Sequence, residues 1–206
     1  MNNLNLKNIT EDLLDTFLYA GNIAKETSLR GVKVTIKADK TPVTDGDLAV
    51  DKLLRNKIQK LTPNIPIISE ETVNLKVKNK YENFWLIDPI DGTRDYIKKG
   101  DQYTLNASLI INFKPAIGIV YAPAKDRLFF SYGKNLAFEI CKGKKNILNC
   151  KKVNTNGIIA LLNNDKTPSE VLDIYKKYNV SQTIKVSSSL KFSILAAGEA
   201  DIYAAK

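Results

Sequence analysis

The 206-residue chain contains no histidine. That excludes Ser-His-Asp and Cys-His catalysis, imidazole proton shuttles and any zinc site with a histidine ligand. Its two cysteines, Cys141 and Cys150, stand apart with no C-x-x-C spacing, so they read as reduced cytosolic thiols rather than a redox pair or metal cluster. Arginine is scarce: Arg30, Arg55, Arg94 and Arg127 are four of 31 cationic residues. Proteins that read base edges rely on the bidentate guanidinium, and no helix-turn-helix, zinc-finger or basic-aromatic RNA signature is present. Sequence-specific nucleic-acid binding is therefore not expected. No apolar run approaches the roughly 18 residues that span a bilayer, and Met1 to Lys7 has no basic-then-apolar leader profile. The expected location is cytoplasmic, including a peripheral position on the cytoplasmic face of the inner membrane. Any chemistry must run on carboxylates, hydroxyls, lysine, thiol or a metal held by oxygen.

What is present describes an ordinary globular protein. Hydrophobic residues make up 44% and charged residues 26%, which rules out wholesale disorder. The length suits one large domain or two small ones. A formal charge of +9 implies attraction to anions such as phosphorylated metabolites, or else a solvated lysine surface.

Apolar residues at helical spacing predict a first helix over Ile9–Ala24, started by a capping box of Asn8 and Glu11. A second helix is predicted over Asp45–Leu61, capped by Thr44 or Asp45, with Leu48, Leu53, Leu54, Ile58 and Leu61 on its apolar side. Strands are predicted over Ile65–Ser69, Phe84–Ile90, Thr104–Asn112, Ala116–Tyr121, Arg127–Tyr132 and Leu136–Cys141. An alternating tail follows: strand Gly157–Leu162, helix Pro168–Tyr178, strand Thr183–Val186, helix Ser189–Ala197 and a strand stub at Asp201–Ala204. The order divides the chain into an α+β half over 1–150 and an α/β half over 151–206.

Three segments carry chemistry. Asp88-Pro89-Ile90-Asp91-Gly92-Thr93 closes an apolar strand. Two carboxylates three apart, stiffened by Pro and turned by Gly, can converge on one hard cation, with the Ile90 carbonyl as a neutral oxygen. A helix starting near Gly92 would add free N–H groups for a phosphate. The same residues also suit an ordinary Asp-Pro, Asp-Gly turn. Ser69-Glu70-Glu71 places an acidic pair at a strand end, and Lys37 to Asp47 forms a polar loop running into a helix whose first turn carries Asp47. Either could be a solvated surface segment.

Taken in order, K-A-D-K-T-P-V-T-D-G-D, P-I-I-S-E-E, W-L-I-D-P-I-D-G-T-R-D-Y-I, Y-T-L-N-A-S-L-I, P-A-I-G-I-V-Y-A-P, S-S-S-L-K-F and A-A-G-E-A-D-I-Y make the chain resemble the inositol monophosphatase superfamily. Within it, the chain is most similar to 3′(2′),5′-bisphosphate nucleotidases of the bacterial CysQ type. The resemblance implies an α-β-α-β-α sandwich and an Mg²⁺-dependent phosphatase with two or three ions, removing the 3′-phosphate of 3′-phosphoadenosine 5′-phosphate to give AMP. It implies Mg²⁺ ligands Glu70, Asp88, Asp91 and the Ile90 carbonyl, with Asp47 and Thr93, assisted by Glu70, orienting and deprotonating the attacking water. Gly92 and Thr93 would meet the phosphate, alongside Glu70, Ile90 and Asp91. Ser188, Ser189 and Lys191 would line the nucleotide side, with Ser187 standing where the family has Gly. The family's W-D-x-A-A-G segment, with a further metal-binding Asp, does not follow Tyr203. The expectation is a truncated member whose activity is weak or absent. An inositol-monophosphatase-like phosphatase, a non-catalytic remnant and a basic nucleic-acid binder remain as alternatives.

Overall fold

The structure, a computed structural model, describes residues 4–72, 81–150, 157–163 and 167–205. The first residues of the stretch read for a leader, 1–3, lie outside them. Helix α1 runs over Leu6–Arg30 and is capped by Asn5, whose side chain accepts from the Asn8 N–H at 3.1 Å. The expected Asn8 cap is corrected: Asn8 lies inside the helix as a donor. Leu4 and Leu6 pack against the core, which draws the helix start one turn earlier.

The segment read as an open polar loop is instead a two-stranded antiparallel ribbon, β1 (Val34–Ile36) with β2 (Pro42–Thr44). Its turn is closed by the Lys37 N–H on the Thr41 carbonyl at 2.9 Å and by Asp39, which accepts from the Thr41 N–H and hydroxyl. All three β1 residues are exposed, so no alternation marked the strand.

Helix α2 (Asp45–Leu61) has its predicted bounds, because Thr44 and Asp47 form a reciprocal capping box. Its buried stripe is Val50, Leu54 and Ile58, whereas Leu48 is exposed and Leu53 and Leu61 are half-buried. The apolar face is rotated from the one predicted, because the sheet meets the Val50 side.

Seven strands form the main sheet in chain order: β3 (Ile67–Ser69), β4 (Phe84–Asp91), β5 (Thr104–Ile111), β6 (Lys114–Ala122), β7 (Arg127–Tyr132), β8 (Ala137–Cys141) and β9 (Lys144–Ile147). Only β3 and β4 run parallel; the rest is an antiparallel meander. Strand β9 was not anticipated, since all four of its residues are exposed and it exists through pairing with β8 around Gly143, at φ 74°. The short helix α3 (Thr93–Ile97) follows β4.

A second sheet has the order β11-β10-β12, all parallel, from β10 (Ile158–Leu162), β11 (Val180–Lys185) and β12 (Ile202–Tyr203). Helix α4 (Ser169–Lys177) joins the first two, and α5 (Leu190–Ala196) precedes the third. Strand β11 begins three residues before its predicted start and ends at Lys185, because Ile158 already pairs with Val180.

Three apolar clusters stack these elements into five layers, α-β-α-β-α. The largest packs α1 and α2 on the main sheet through residues such as Leu13, Phe17, Leu54, Trp85, Leu105 and Ile119. Ala122 and Phe129 on the opposite face meet Leu161, Val186 and Leu190, placing α5 between the sheets. Ala160, Val171 and Tyr175 pack α4 outside the second sheet. Arg127 on β7 pairs with Glu139 at 2.5 Å and with Glu199 beside β12, which ties the two sheets at their edge.

The α1–β6 contact is close. A Cβ on Gly21 would lie 2.2 Å from Cε1 of the buried Tyr121 ring. Gly21→Ala should therefore destabilise the fold by about 1–3 kcal/mol, read as a lowered urea midpoint. An unchanged or raised midpoint would show that the ring moves aside freely.

Candidate active site

Strand β4 alternates: Trp85 and Ile87 are buried in the main core while Leu86 points to solvent. The alternation breaks at Pro89. The pairing with β5 shifts between Asp88, opposite Asn106, and Asp91, opposite Thr104. This irregularity brings two carboxylates to one end of the strand, where regular pleating would put residues three apart on opposite faces. Gly92 then turns the chain at φ 91°, and a Cβ there would crowd Ser188 Cβ at 3.3 Å and Tyr103 Cα at 3.4 Å. Glycine is required on both counts. Tyr96, one turn into α3, anchors it by donating to the Ala24 carbonyl at 2.7 Å.

Glu70 reaches the same end from β3. Its N–H donates to the Ile87 carbonyl at 3.0 Å, and the preceding Ser69 hydroxyl donates to buried Asp51 of α2 at 2.5 Å. Asp51 in turn accepts from Arg55 at 2.8 Å. Helix α2 thus fixes the strand end that presents Glu70.

A cleft of about 570 Å³ is lined by Glu70, Asp88, Ile90, Asp91, Gly92 and Thr93. Arg94, Asp95, Lys98, Asn163, Ser187, Ser188 and Lys191 also line it, with Thr41 and Pro42 at the β2 side. One cavity is thus lined by both carboxylates and cations, which suits a cation next to an anionic ligand.

The electrostatics show strain at the acidic end. Burial, then the charges of Asp91 and Glu70, pushes Asp88 up to about 8. Its Oδ1 is buried with no hydrogen-bond partner, a costly state for a carboxylate oxygen unless a cation meets it. Burial also raises Asp91, opposed by the Ser189 N–H, which donates to its Oδ2 at 2.5 Å, and by Lys191. Lys37, from the β1–β2 turn, bridges Glu71 at 2.8 Å and Glu70 at 3.1 Å. Burial alone would lower its pKa, but these bonds win and hold it above its ordinary value. Among the described residues no three carboxylates are arranged in metal-holding geometry. The all-oxygen donor set and the orphaned Asp88 oxygen nonetheless fit a hard divalent cation.

The remaining site residues fall differently from expectation. Asp47 is buried and is not on the cleft wall: its Oδ2 accepts from the Thr44 N–H at 2.8 Å and hydroxyl at 2.5 Å. Burial raises its pKa. The Thr93 hydroxyl donates to the Ile90 carbonyl at 3.0 Å, so the structure places no Asp47–Thr93 hydrogen bond. Ser189 also lies off the wall and acts through Asp91, whereas Ser188 and Lys191 line the cleft. The left-handed residue of the loop is Ser188, at φ 55°, and not Ser187. Serine at the position where the family has Gly therefore brings no backbone strain. Helix α3 begins at Thr93, next to Gly92 as expected, and spans five residues. Sequence reading missed Lys37, Arg94, Lys98 and Asn163 as site residues.

The inositol monophosphatase family model matches residues 6–206. The chain belongs to the inositol monophosphatase family. It is 36% identical over 180 residues to the 3′(2′),5′-bisphosphate nucleotidase CysQ of Buchnera aphidicola subsp. Acyrthosiphon pisum, covering 85% of this chain and 66% of that relative. The chain thus spans just under two thirds of that relative's length. Among solved structures, CysQ from Bacteroides thetaiotaomicron superposes with a TM-score of 0.74 at 24% identity, covering 97% of this chain and 79% of the other. An IMPase/NADP phosphatase complexed with Mg²⁺ and phosphate superposes with a TM-score of 0.76 at 18% identity, covering 97% and 75%. These likenesses establish the family's layered fold for this chain. No helix among the described residues is long and apolar enough to cross a membrane.

Asp88 gives a pH signature in the metal-free protein. Its folded pKa of about 8 lies above its ordinary 3.8, so its contribution to stability is full below that ordinary value and is lost as pH rises through 8. Thermal melts without metal should fall between pH 5 and pH 8, and Asp88→Asn should flatten that fall. An equally steep fall in the variant would refute the assignment.

Proposed function

We propose that this chain is an Mg²⁺-dependent phosphatase that removes the 3′-phosphate of 3′-phosphoadenosine 5′-phosphate, giving AMP. The observation that carries the reading is the crowding of Asp88, Asp91 and Glu70 beside a buried, unpartnered Asp88 oxygen in a cleft that Arg94, Lys98 and Lys191 also line. Glu70, Asp88, the Ile90 carbonyl and Asp91 are the proposed ligands for two or three ions. When bound, Mg²⁺ supplies an acidified water and neutralises phosphate charge, which is the chemistry that phosphoryl transfer needs most.

The chain's own residues do the rest. Thr93, at the turn beside both carboxylates, orients the attacking water. Glu70, on the cleft wall, accepts its proton, while Asp47, buried off that wall, braces the start of α2 through Thr44. The N–H groups of Gly92 and Thr93 meet the transferred phosphate. Ser188 and Lys191, with Arg94 and Lys98, face the nucleotide and its second phosphate. The curated relatives named as bisphosphate nucleotidases support this substrate class.

Phosphate release from 3′-phosphoadenosine 5′-phosphate should require Mg²⁺ and stop with a chelator, and Asp91→Asn should lower it by about a hundredfold or more. Faster release from an inositol monophosphate would replace the nucleotide as the substrate. No release from either would overturn the enzymatic reading.

A further inference from the structure

Strand β5 carries two polar residues that no role described so far uses. Thr104 is fully buried and lies opposite Asp91 in the ladder, while Asn106 lies opposite Asp88. Both point to the face that meets the 187–189 loop. There the Ser189 hydroxyl is 2.7 Å from Asn106 Oδ1 and 2.8 Å from Thr104 Oγ1, and Asn106 Nδ2 is 3.4 Å from Thr104 Oγ1.

The donors in this cluster follow from chemistry. The amide oxygen of Asn106 can only accept, so the single Ser189 hydroxyl proton goes to it. Thr104 must then donate to Ser189 Oγ, and Asn106 Nδ2 donates to Thr104. Each hydroxyl gives one hydrogen bond and receives one. The three side chains close a ring with a single sense, the arrangement in which hydrogen bonds polarise one another.

The ring's output is at Asp91. Ser189 is the residue whose N–H holds Asp91 Oδ2 at 2.5 Å. Its neighbour Ser188 occupies the left-handed region at φ 55°, and Ser187 N–H is held separately by Gln102 Oε1 at 2.6 Å. With both flanks and its own side chain fixed, the Ser189 N–H has one direction available. One Asp91 oxygen is thereby fixed, and with it the way the carboxylate faces the cleft.

We propose that Thr104, Asn106 and Ser189 are positioning residues for the cation site: their ring aims the Ser189 N–H at Asp91 and so sets the orientation in which that carboxylate meets a divalent ion. The proposal rests on the metal-site reading above. It also reassigns Ser189 from a group that touches substrate to one that acts through Asp91.

The test is Mg²⁺ binding by the full chain, measured by titration calorimetry, with melting temperature followed on the same samples. Asn106→Leu and Ser189→Ala should each weaken Mg²⁺ binding by about tenfold, the usual cost of losing a group that orients a ligand. The double variant should bind no worse than the weaker single, because one break opens the ring. Thr104→Val should behave like them, and Thr104→Ser, which keeps the hydroxyl, should bind within about twofold of wild type. Lowered melting temperatures with unchanged Mg²⁺ affinity would show that the ring only docks the loop, which overturns the proposal. Additive losses in the double variant would also overturn it. Absence of Mg²⁺ binding by the wild-type chain would instead remove the metal-site reading itself, and the proposal with it.

Discussion

Like charges held close together, two of them on half-buried aspartates, are the constraint on which this cleft depends. Asp88, Asp91 and Glu70 come from two strands whose register is set far from them, by Trp85 and Ile87 in the main core and by Asp51 under Ser69. The fold supplies that positioning from apolar burial and from helix α2, so the carboxylates cannot relax by moving apart. The acidic end is left with partial remedies. A lysine leans in from the β1–β2 ribbon, a backbone N–H holds one Asp91 oxygen, and the charge on Asp88 is suppressed. None of these satisfies Asp88 Oδ1. A site built this way is poised for a divalent cation because every cheaper neutralisation is incomplete.

What could be read from the sequence follows the range of the interactions concerned. The capping box of α2 is local, with Thr44 and Asp47 three residues apart, and that helix has its predicted bounds. The D-P-I-D-G-T turn is equally local, and its glycine is required by φ and by the approach of Ser188. The start of α1 was misread because Leu4 and Leu6 are recruited by the core, which the cap residues alone do not reveal. Strands β1 and β9 were missed because their side chains are solvent-facing and only pairing defines them. In the site, Lys37 was visible as part of a charged loop, but its grip on Glu70 spans 33 residues. Asn106 and Ser189 are 83 apart. No periodicity or spacing joins such positions; only the folded topology does.

The two sheets are held together by different means at different places. Apolar packing around Leu161, Val186 and Phe129 supplies the bulk. Arg127 adds a charged clamp at the edge through Glu139 and Glu199. At the cleft the link is polar and directional, through Gln102 to Ser187 and through β5 to Ser189. Packing tolerates small shifts, whereas hydrogen bonds of this length do not. The most exacting geometry between the sheets thus coincides with the carboxylates.

The Ser187–Ser189 loop therefore has two audiences. Ser187 and Ser188 face the part of the cleft that would take an organic ligand, while the next N–H in the chain holds Asp91. Displacement of the loop by a ligand on one side changes the carboxylate on the other. By thermodynamic reciprocity, a cation that stiffens Asp91 must alter affinity for that ligand by the same factor. Occupancy by cation and by organic ligand is then a single linked equilibrium, coupled through one three-residue turn.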